Sequence, residues 1–349
     1  MKNFPRLRAW LLLFSLLSPV SGLLLAADAP APLAAAAARD EVLVIIGAPG
    51  EDTFAPGFAA AAKNWQAAAD RAHLVCTVIG LDEKKDPDAA PTDKDRVQEW
   101  LKKIDPAAGG NVWIAYVGHG TFDGREAHLN LRGPDVVPTE LAAWFKPIKR
   151  QLIFIHGGSA GGAPFITALS GPGRIIITAT RAGSELNYAR FGERFAEAVA
   201  SDDADIDQDG QVSLLEAFVY AGQKVQGFYT DNNRMLSEHA QLDDNGDKAS
   251  TPADWFKGTR LIKRPAQGQA DGTGSRLLAL SPGDAERAMT AAQLQQRAKL
   301  EQQLESLRNQ KTALGDTAYY AQLETLLRQL ATLYVPAPMV SNGPEKQAN

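Results

Sequence analysis

Short, fully apolar segments alternate with amphipathic segments through the first half of the chain. The apolar segments are typical of strands buried on both faces and lie at 41–46, 73–79, 112–117, 152–155 and 174–180. Between them, apolar residues recur at helical spacing over 58–72, 97–104, 139–145 and 164–170. Because strands that alternate with helices form right-handed crossovers, this order predicts a mainly parallel sheet covered by helices on both faces. The expected fold class is therefore α/β.

The pattern changes after about residue 262. Residues 262–282 are rich in Gly, Gln and Pro, a composition that predicts a flexible linker. Leucines at helical spacing over 283–335 then predict a helical hairpin or coiled coil, with a break at Gly315 and a new N-cap at Asp316. We expect this hairpin to serve packing or homo-oligomerisation, and the polar tail 336–349 to be disordered.

The N-terminal residues have the three-part layout of a secretory signal. Three basic residues occur among the first eight, an apolar run covers 9–25, and small residues follow at 26–27. We therefore expect 1–27 to be a signal peptide and 28–40 to be an alanine- and proline-rich spacer before the domain. An uncleaved membrane anchor is the alternative, although a proline, a serine and a glycine interrupt the apolar run. With the leader removed, we expect no membrane span and a periplasmic or extracellular protein.

Charge and cysteine content narrow the choice of partners and of stabilising bonds. The chain has 36 Lys and Arg against 41 Asp and Glu, a net charge of −5. This acidic balance argues against a nucleic-acid partner. Cys76 is the only cysteine, so an exported form would fold without an internal disulfide. Because Cys76 lies inside an apolar strand pattern, we expect a buried packing residue rather than a reactive thiolate.

Residues 205–216 match a calcium-binding loop of the EF-hand type. Such a loop supplies oxygen ligands from positions one, three, five, seven, nine and twelve, with glycine at position six. The residues at the ligand positions are Asp205, Asp207, Asp209, Gln211 through its carbonyl oxygen, Ser213 and Glu216. Gly210 occupies position six, and Val212 at position eight is apolar as expected. Ala217 departs from the pattern, because a large apolar residue usually begins the following helix.

The full ligand match favours a bound Ca²⁺ over the alternative of a solvated acidic turn. The loop follows a helical segment, 188–200, that is expected to pack behind the fifth strand. We therefore predict that the ion braces the end of the sheet and stabilises the protein, rather than switching its conformation. Affinities of roughly 10⁻⁴ to 10⁻³ M are typical of such loops in extracellular proteins.

A second acidic turn follows at 243–247. Its candidate ligands are Asp243, Asn245, Asp247 and, at position twelve, Asp254. Lys248 stands where the glycine belongs. A plain polar turn and a second ion site are both consistent with this pattern.

Candidate chemistry lies at the ends of the third and fourth strands, since open parallel sheets bind ligands beyond the carboxyl ends of their strands. The third strand ends in Tyr-Val-Gly-His-Gly at 116–120, and the fourth ends in a glycine-rich segment that continues to Gly162. With these motifs the sequence resembles the caspase-like superfamily of cysteine peptidases over 42–260. In that superfamily a His-Gly pair follows one strand, and the segment with the catalytic cysteine follows the next.

The resemblance implies a set of site residues, with one departure. His119 matches the catalytic histidine, and Gly120 matches the residue whose backbone amide helps hold the oxyanion. The cysteine position falls on Gly158 or Ser159, depending on the alignment of the glycine run, and Ser159 keeps the following helix start in step. No alignment restores a cysteine. The resemblance therefore implies a caspase-like domain over 41–261 without the nucleophile of the family.

Three interpretations of this site stay open. The first is an inactive peptidase homologue that binds a protein or peptide ligand or acts as a scaffold. The second is a hydrolase in which His119 activates Ser159 as the nucleophile. The third is structural, with His119 and His156 as strand-end histidines held by backbone partners. The pKa of a serine hydroxyl is far above that of a cysteine thiol, and the site of this superfamily is shaped for sulfur. We therefore expect the inactive homologue.

Overall fold

The computed structural model describes residues 39–82, 86, 89–106, 108–265 and 269–334. The predicted signal peptide, residues 28–38 of the predicted spacer and the predicted tail lie outside this part of the chain. Within the described residues, none of the helices combines the length and the apolar character needed to cross a membrane.

The described strands and helices follow one another along the chain as the alternating pattern predicts. The strands are β1 (Glu41–Ile46), β2 (Cys76–Ile79), β3 (Val112–Val117), β4 (Gly120–Phe122), β5 (Ala127–Leu129), β6 (Leu152–His156), β7 (Arg174–Thr178), β8 (Gln241–Asp243), β9 (Thr251–Pro252), β10 (Phe256–Lys257) and β11 (Arg260–Leu261). The helices are α1 (Ala55–Arg71), α2 (Asp93–Lys103), α3 (Pro138–Phe145), α4 (Gly162–Leu169), α5 (Phe191–Ala200), α6 (Leu214–Asp231), α7 (Thr273–Arg276), α8 (Asp284–Arg287), α9 (Ala291–Asn309) and α10 (Lys311–Tyr334). Short 3₁₀ turns lie at 202–204 and 253–255.

Seven strands form the main sheet in the order β2-β1-β3-β6-β7-β8-β9. The first five strands are parallel, whereas β8 runs antiparallel to β7 and β9 antiparallel to β8. The mainly parallel sheet with its flanking helices confirms the predicted α/β class. β8 and β9 extend the sheet beyond the five predicted strands, and no apolar run marks them because they have only three and two residues.

Each face of the sheet is covered by its own layer of helices. Val42, Val44 and Ile46 of β1 pack in the layer of α1, α5 and α6, whereas Leu43 and Ile45 pack in the layer of α2, α3 and α4. All six residues of β3 are buried for the same reason. This two-sided burial explains why these strands appear as unbroken apolar segments in the sequence.

Residues 269–282 pack onto the sheet domain and belong to the segment 262–282 that composition predicts to be a flexible linker. The Asp244 carboxylate accepts a hydrogen bond of 2.7 Å from the backbone N–H of Ser275. Leu280 is 4% exposed and belongs to the core of the α6 layer. Composition does not reveal this order, because the segment is held by contacts with a turn and a helix that lie far from it in sequence.

The predicted C-terminal helical region is confirmed. Helices α9 and α10 pack against each other, with Leu300, Leu307 and Tyr319 buried. At Gly315, where the sequence predicts a break, φ is 71° and ψ is 165°, which interrupts α10 near its start. Association between copies through these helices stays a prediction.

Candidate functional site

His119 lies between β3 and β4, at the carboxyl end of the parallel strands. Its Nε2 atom donates a hydrogen bond of 3.0 Å to the carbonyl oxygen of Pro49, because a carbonyl oxygen can only accept. The imidazole packs against the rings of Phe54, Phe58 and Tyr188, at centroid distances of 4.6, 5.5 and 5.5 Å. His119 is therefore held between an aromatic wall and a backbone carbonyl.

Ser159 lies between β6 and α4 and is 2% exposed. Its Oγ accepts a hydrogen bond of 3.2 Å from the amide of Gly120 and donates one of 3.2 Å to the carbonyl oxygen of the same residue. Within the described part of the chain, Ser159 makes no hydrogen bond with His119. The structure thus brings Ser159 and Gly120 together, whereas His119 has a different partner.

Close backbone contacts hold the loops after β3 and β6 against each other. A Cβ atom at position 120 would lie 2.1 Å from the carbonyl oxygen of Ser159, and one at position 158 would lie 2.5 Å from the carbonyl oxygen of Gly118. Glycine is therefore required at Gly120 and Gly158 by this close approach. The alternative alignment, with the nucleophile position on Gly158, falls on a residue with no room for a side chain.

His156, the last residue of β6, is fully buried among the rings of Tyr116, Phe154 and Phe165. Its Nδ1 atom accepts a hydrogen bond of 3.3 Å from the amide of Gly158, and its Nε2 atom has no hydrogen-bond partner among the described residues. Burial lowers the pKa of His156 to about 4, so the ring is neutral near neutral pH. These contacts fit a strand-end histidine held by packing.

The predicted calcium loop forms a tight turn directly before α6. Asp205 accepts hydrogen bonds from the backbone N–H groups of Asp209 and Gly210, at 3.1 and 3.0 Å. Gln208 and Gly210 adopt φ values of 60° and 90°, so the chain passes twice through the left-handed region. Gln211, whose carbonyl is the predicted ligand at position seven, follows this turn and donates its backbone N–H to Asp209.

Three of the predicted ligand side chains lie close together. Asp205, Asp207 and Asp209 each offer a carboxylate oxygen, and these oxygens all lie within 4.8 Å of one another. Oxygens that bind one Ca²⁺ at about 2.3–2.6 Å can be roughly 5 Å apart at most. The three carboxylates therefore fit a shared calcium ion.

Ser213 and Glu216, the remaining predicted ligands, form the N-terminal cap of α6. Ser213 Oγ accepts a hydrogen bond of 3.2 Å from the Glu216 amide and donates one of 2.8 Å to the Glu216 carboxylate. The same carboxylate accepts hydrogen bonds from the amides of Ser213, Ile206 and Asp207. Glu216 is 1% exposed and joins the beginning of the loop to its end.

The negative charges of the loop are poorly compensated. Burial, together with the negative charges of Asp207 and Glu216, raises the pKa of Asp209 to about 6. Burial also raises the pKa of Glu216. A divalent cation among these carboxylates would favour their ionised forms and lower both pKa values.

Side chains of the C-terminal helices complete the surroundings of the loop, and the sequence prediction missed them. Arg297 of α9 is 3% exposed and forms ion pairs with Glu286 and Glu301. Its Nη2 atom lies 3.9 Å from a carboxylate oxygen of Asp209. The sequence offers only an Arg-to-Glu spacing of four residues, which is common on any exposed helix and does not point to the loop.

The second acidic turn is closed by its own backbone. Asp243 is fully buried, and its carboxylate accepts hydrogen bonds from the amides of Gly246 and Lys248. Lys248 adopts a φ of 69° at the position where an EF-hand loop has glycine. Asp254, at the predicted twelfth position, forms an ion pair of 3.0 Å with Lys263. These contacts are those expected of a polar turn.

Comparisons with known proteins find similar solved structures but no matching family model. No protein-family model and no curated protein matches the chain. Among solved structures, the chain is similar to the Drosophila initiator caspase Dronc, with 12% identity, coverage of 61% of this chain and 82% of that one, and a TM-score of 0.42. It is also similar to caspase-1 from Spodoptera frugiperda, with 12% identity, coverage of 59% and 86%, and a TM-score of 0.40. Similarity at this level carries nothing about catalysis or ligands over to the present chain.

Proposed function

We propose that the chain is an exported protein with a caspase-like domain that has no peptidase activity and binds a protein or peptide ligand. We further propose that a calcium ion in the loop 205–216 braces this domain. The observation that carries the first proposal is the pair of hydrogen bonds between Ser159 and Gly120. The caspase-like family is inferred from the resemblance of the sequence. The hydrogen bonds between Ser159 and Gly120 oppose a catalytic role for the serine.

A Ser159–His119 hydrolase is the competing proposal, and the hydrogen bonds of the site oppose it. His119 would have to accept the proton of Ser159, but the Ser159 hydroxyl donates to a carbonyl oxygen and His119 Nε2 donates to Pro49. The Gly120 amide would have to stabilise an oxyanion, but it donates to Ser159. The Ser159 hydroxyl would therefore have to break both of its hydrogen bonds with Gly120 before a base could accept its proton.

The aromatic wall around His119 is the proposed ligand surface. It lies beyond the carboxyl ends of the parallel strands, which is where sheets of this kind bind ligands. Tyr188 and Phe54 form part of the wall, and Leu186 in the same loop as Tyr188 is 56% exposed. Aromatic and apolar side chains in such a position are typical of the centres of protein and peptide interfaces.

The proposal of calcium rests on the ligand motif and on the cluster of carboxylates. Asp205, Asp207 and Asp209 would hold the ion with the Gln211 carbonyl, and Glu216 would join them by releasing part of its helix cap. The ion supplies positive charge that offsets these carboxylates. Because the loop joins α5 to α6, which pack on the same face of the sheet, its closure would stabilise that helix layer. Export would place the loop where extracellular calcium keeps it filled.

Labelling with a fluorophosphonate probe, together with hydrolysis of peptide libraries, tests the absence of catalysis. The wild-type protein, Ser159→Ala, His119→Ala and the control His73→Asn would be compared at equal folded concentration. His73 is exposed and has a φ of 56°, which asparagine tolerates, so this variant controls for the loss of a histidine away from the site. We expect no labelling and no hydrolysis by any of the four proteins. Activity present in the wild type and in His73→Asn, but lost in the other two variants, would establish the hydrolase.

A further inference from the structure

The turn after β8 and the segment around α7 hold each other through hydrogen bonds that run in both directions. The Asp244 carboxylate accepts hydrogen bonds from the backbone N–H groups of Gly272 and Ser275, at 3.0 and 2.7 Å. In return, the Asp271 carboxylate accepts a hydrogen bond of 2.9 Å from the Asp244 amide. We call these contacts of Asp244 and Asp271 the clasp. It attaches the segment that leads to α8, α9 and α10 to the edge of the main sheet.

Asp271 is buried, and its hydrogen-bond partners are neutral. The residue is 4% exposed. Besides the Asp244 amide, its carboxylate binds the hydroxyl of Thr251 in β9 at 2.8 Å, and the Thr251 oxygen accepts a hydrogen bond of 2.9 Å from the Asp271 amide. Over the described part of the chain, the Asp271 carboxylate forms no ion pair with a lysine, arginine or histidine. A charge on Asp271 is therefore not offset by a bound cationic side chain.

The charged groups around Asp271 come from the turn and from a cavity of about 370 Å³ beside it. Asp243 and Asp244 lie on the side of the turn, and their negative charges act on Asp271. The guanidinium of Arg276, which lines the cavity, donates a hydrogen bond of 3.1 Å to Thr259. The other charged residues that line this cavity are Arg264, Glu301 and Glu305. Burial, together with the charges of Asp244 and Asp243, raises the pKa of Asp271 well above that of an ordinary carboxyl.

The direction of this change determines how the clasp depends on pH. In an undocked segment the carboxyl would have an ordinary pKa of about 3.9. Because the pKa of Asp271 is raised in the docked state, its stabilising contribution is complete below about pH 4 and is lost as the pH rises through the raised value. Protonated Asp271 can keep both contacts, since one oxygen accepts from Asp244 and the other can donate to Thr251. Ionised Asp271 adds a third negative charge to the two on the turn.

We propose that the clasp is a pH-sensitive switch, which holds the segment 271–275 on the sheet edge while Asp271 is protonated and opens locally when Asp271 ionises. Because this segment leads into the C-terminal helices, one of their attachments to the sheet domain weakens as the pH rises. Local opening of this kind leaves the central strands folded, since their burial does not involve the clasp. The inference is independent of the proposed calcium site and of the proposed ligand surface.

Hydrogen exchange of the full-length protein between pH 5 and pH 9 tests the switch. The reporters are the amides of Gly272 and Ser275, with rates corrected for the intrinsic pH dependence of exchange. Asp271→Asn keeps the shape of the side chain but cannot ionise, and Asp316→Asn, an exposed aspartate of α10, is the matched control. We expect the protection of both amides to fall roughly tenfold or more in the wild type and in the control, and to stay constant in Asp271→Asn.

Two results of this experiment would overturn the inference. One is wild-type protection that does not change with pH, and the other is an equal fall in Asp271→Asn. A carboxyl titration of the wild type by NMR supplies a second measurement that needs no variant, with the Asp244 amide as the reporter because it donates to Asp271. We expect a midpoint well above the ordinary value of about 4. A midpoint at the ordinary value would refute the switch even if Asp271→Asn failed to fold.

Discussion

The Oγ atom of Ser159 lies 3.2 Å from the amide nitrogen of Gly120 and 3.2 Å from its carbonyl oxygen. This pair of contacts joins the loop after β6 to the first residue of β4, which follows the short loop after β3. β3 and β6 are neighbouring strands of the sheet. The serine that the alignment places at the nucleophile position thus stabilises the loop that carries His119. In this arrangement, the same residues that resemble a peptidase site act as a structural link between strand ends.

We expect Ser159→Ala to lower the free energy of unfolding by about 1–3 kcal/mol. The substitution removes both hydrogen bonds and leaves the buried Gly120 amide without its partner. Urea denaturation measures the change. Ser306→Ala is the control, because the Ser306 hydroxyl accepts only a surface hydrogen bond from Gln310, and we expect a change within about 0.5 kcal/mol. Equal stability of Ser159→Ala and wild type would show that Ser159 is not a structural link.

Gly120→Ala is expected to be more damaging than the loss of the serine hydroxyl. The new Cβ atom would lie 2.1 Å from the carbonyl oxygen of Ser159. Because this oxygen belongs to the backbone, its displacement would cost free energy. We expect a loss of about 3 kcal/mol or more, measured by the same denaturation. Gly171→Ala is the matched control, since nothing lies within 4 Å of a Cβ there and its φ is not positive. A Gly120→Ala variant as stable as Gly171→Ala would contradict the close approach of the two loops.

The pKa of His156 predicts a specific dependence of stability on pH. Burial lowers this pKa to about 4 in the folded protein, against about 6.5 in an unfolded chain. The stabilisation is complete above about pH 6.5 and is lost as the pH falls towards about 4, because only the unfolded state then binds the proton. The loss amounts to at most about 1.4 kcal/mol per pH unit.

The difference between wild type and His156→Gln isolates this contribution. Glutamine retains an acceptor for the Gly158 amide but does not titrate. Groups such as Asp209, whose raised pKa acts with the opposite sign, contribute equally to both proteins and cancel. We expect the stability advantage of the wild type to shrink between about pH 6.5 and 4. A difference that is constant over this range would refute the assignment.

The C-terminal helices are expected to associate through an exposed apolar face of α10. Tyr320 and Leu327 are seven residues apart on this helix and are 52% and 47% exposed. We expect Leu327→Glu to weaken self-association of the protein, measured by sedimentation over a range of concentrations. Leu186→Glu changes a leucine that is 56% exposed elsewhere and is the control. The same mass for wild type, Leu327→Glu and Leu186→Glu would mean that this face does not mediate association.

Much of the fold is visible in the sequence because of how the central strands are buried. β1 and β3 have helices on both faces, so their residues are uniformly apolar and stand out from the helices between them. β8 and β9 are different, since they are short and include Asp243, a buried carboxylate that backbone amides satisfy. A hydrophobic pattern cannot predict a sheet edge that consists of such short strands with a buried carboxylate.

The sequence predicts which residues form the candidate site, but not the contacts that they make. The sequence places Ser159 and Gly120 after adjacent strands, but it does not determine that the hydroxyl points to the Gly120 backbone. Likewise, the ligand spacing of the loop is local and therefore visible. Arg297 meets Asp209 of the loop only because α9 folds back towards it, and no local pattern encodes a contact over that distance in the chain.

Thermal unfolding with and without calcium tests the proposed brace most directly. With roughly 10 mM CaCl₂, about one hundred times a Kd of 10⁻⁴ M, binding would stabilise the fold by about 2.7 kcal/mol relative to the same protein in EGTA. We expect the melting temperature to rise by roughly 5–10 °C in the wild type and in Asp316→Asn, an exposed aspartate of α10. In Asp205→Asn, which alters the first ligand of the loop, we expect little or no rise. A wild-type melting temperature that is the same in calcium and in EGTA would contradict the account.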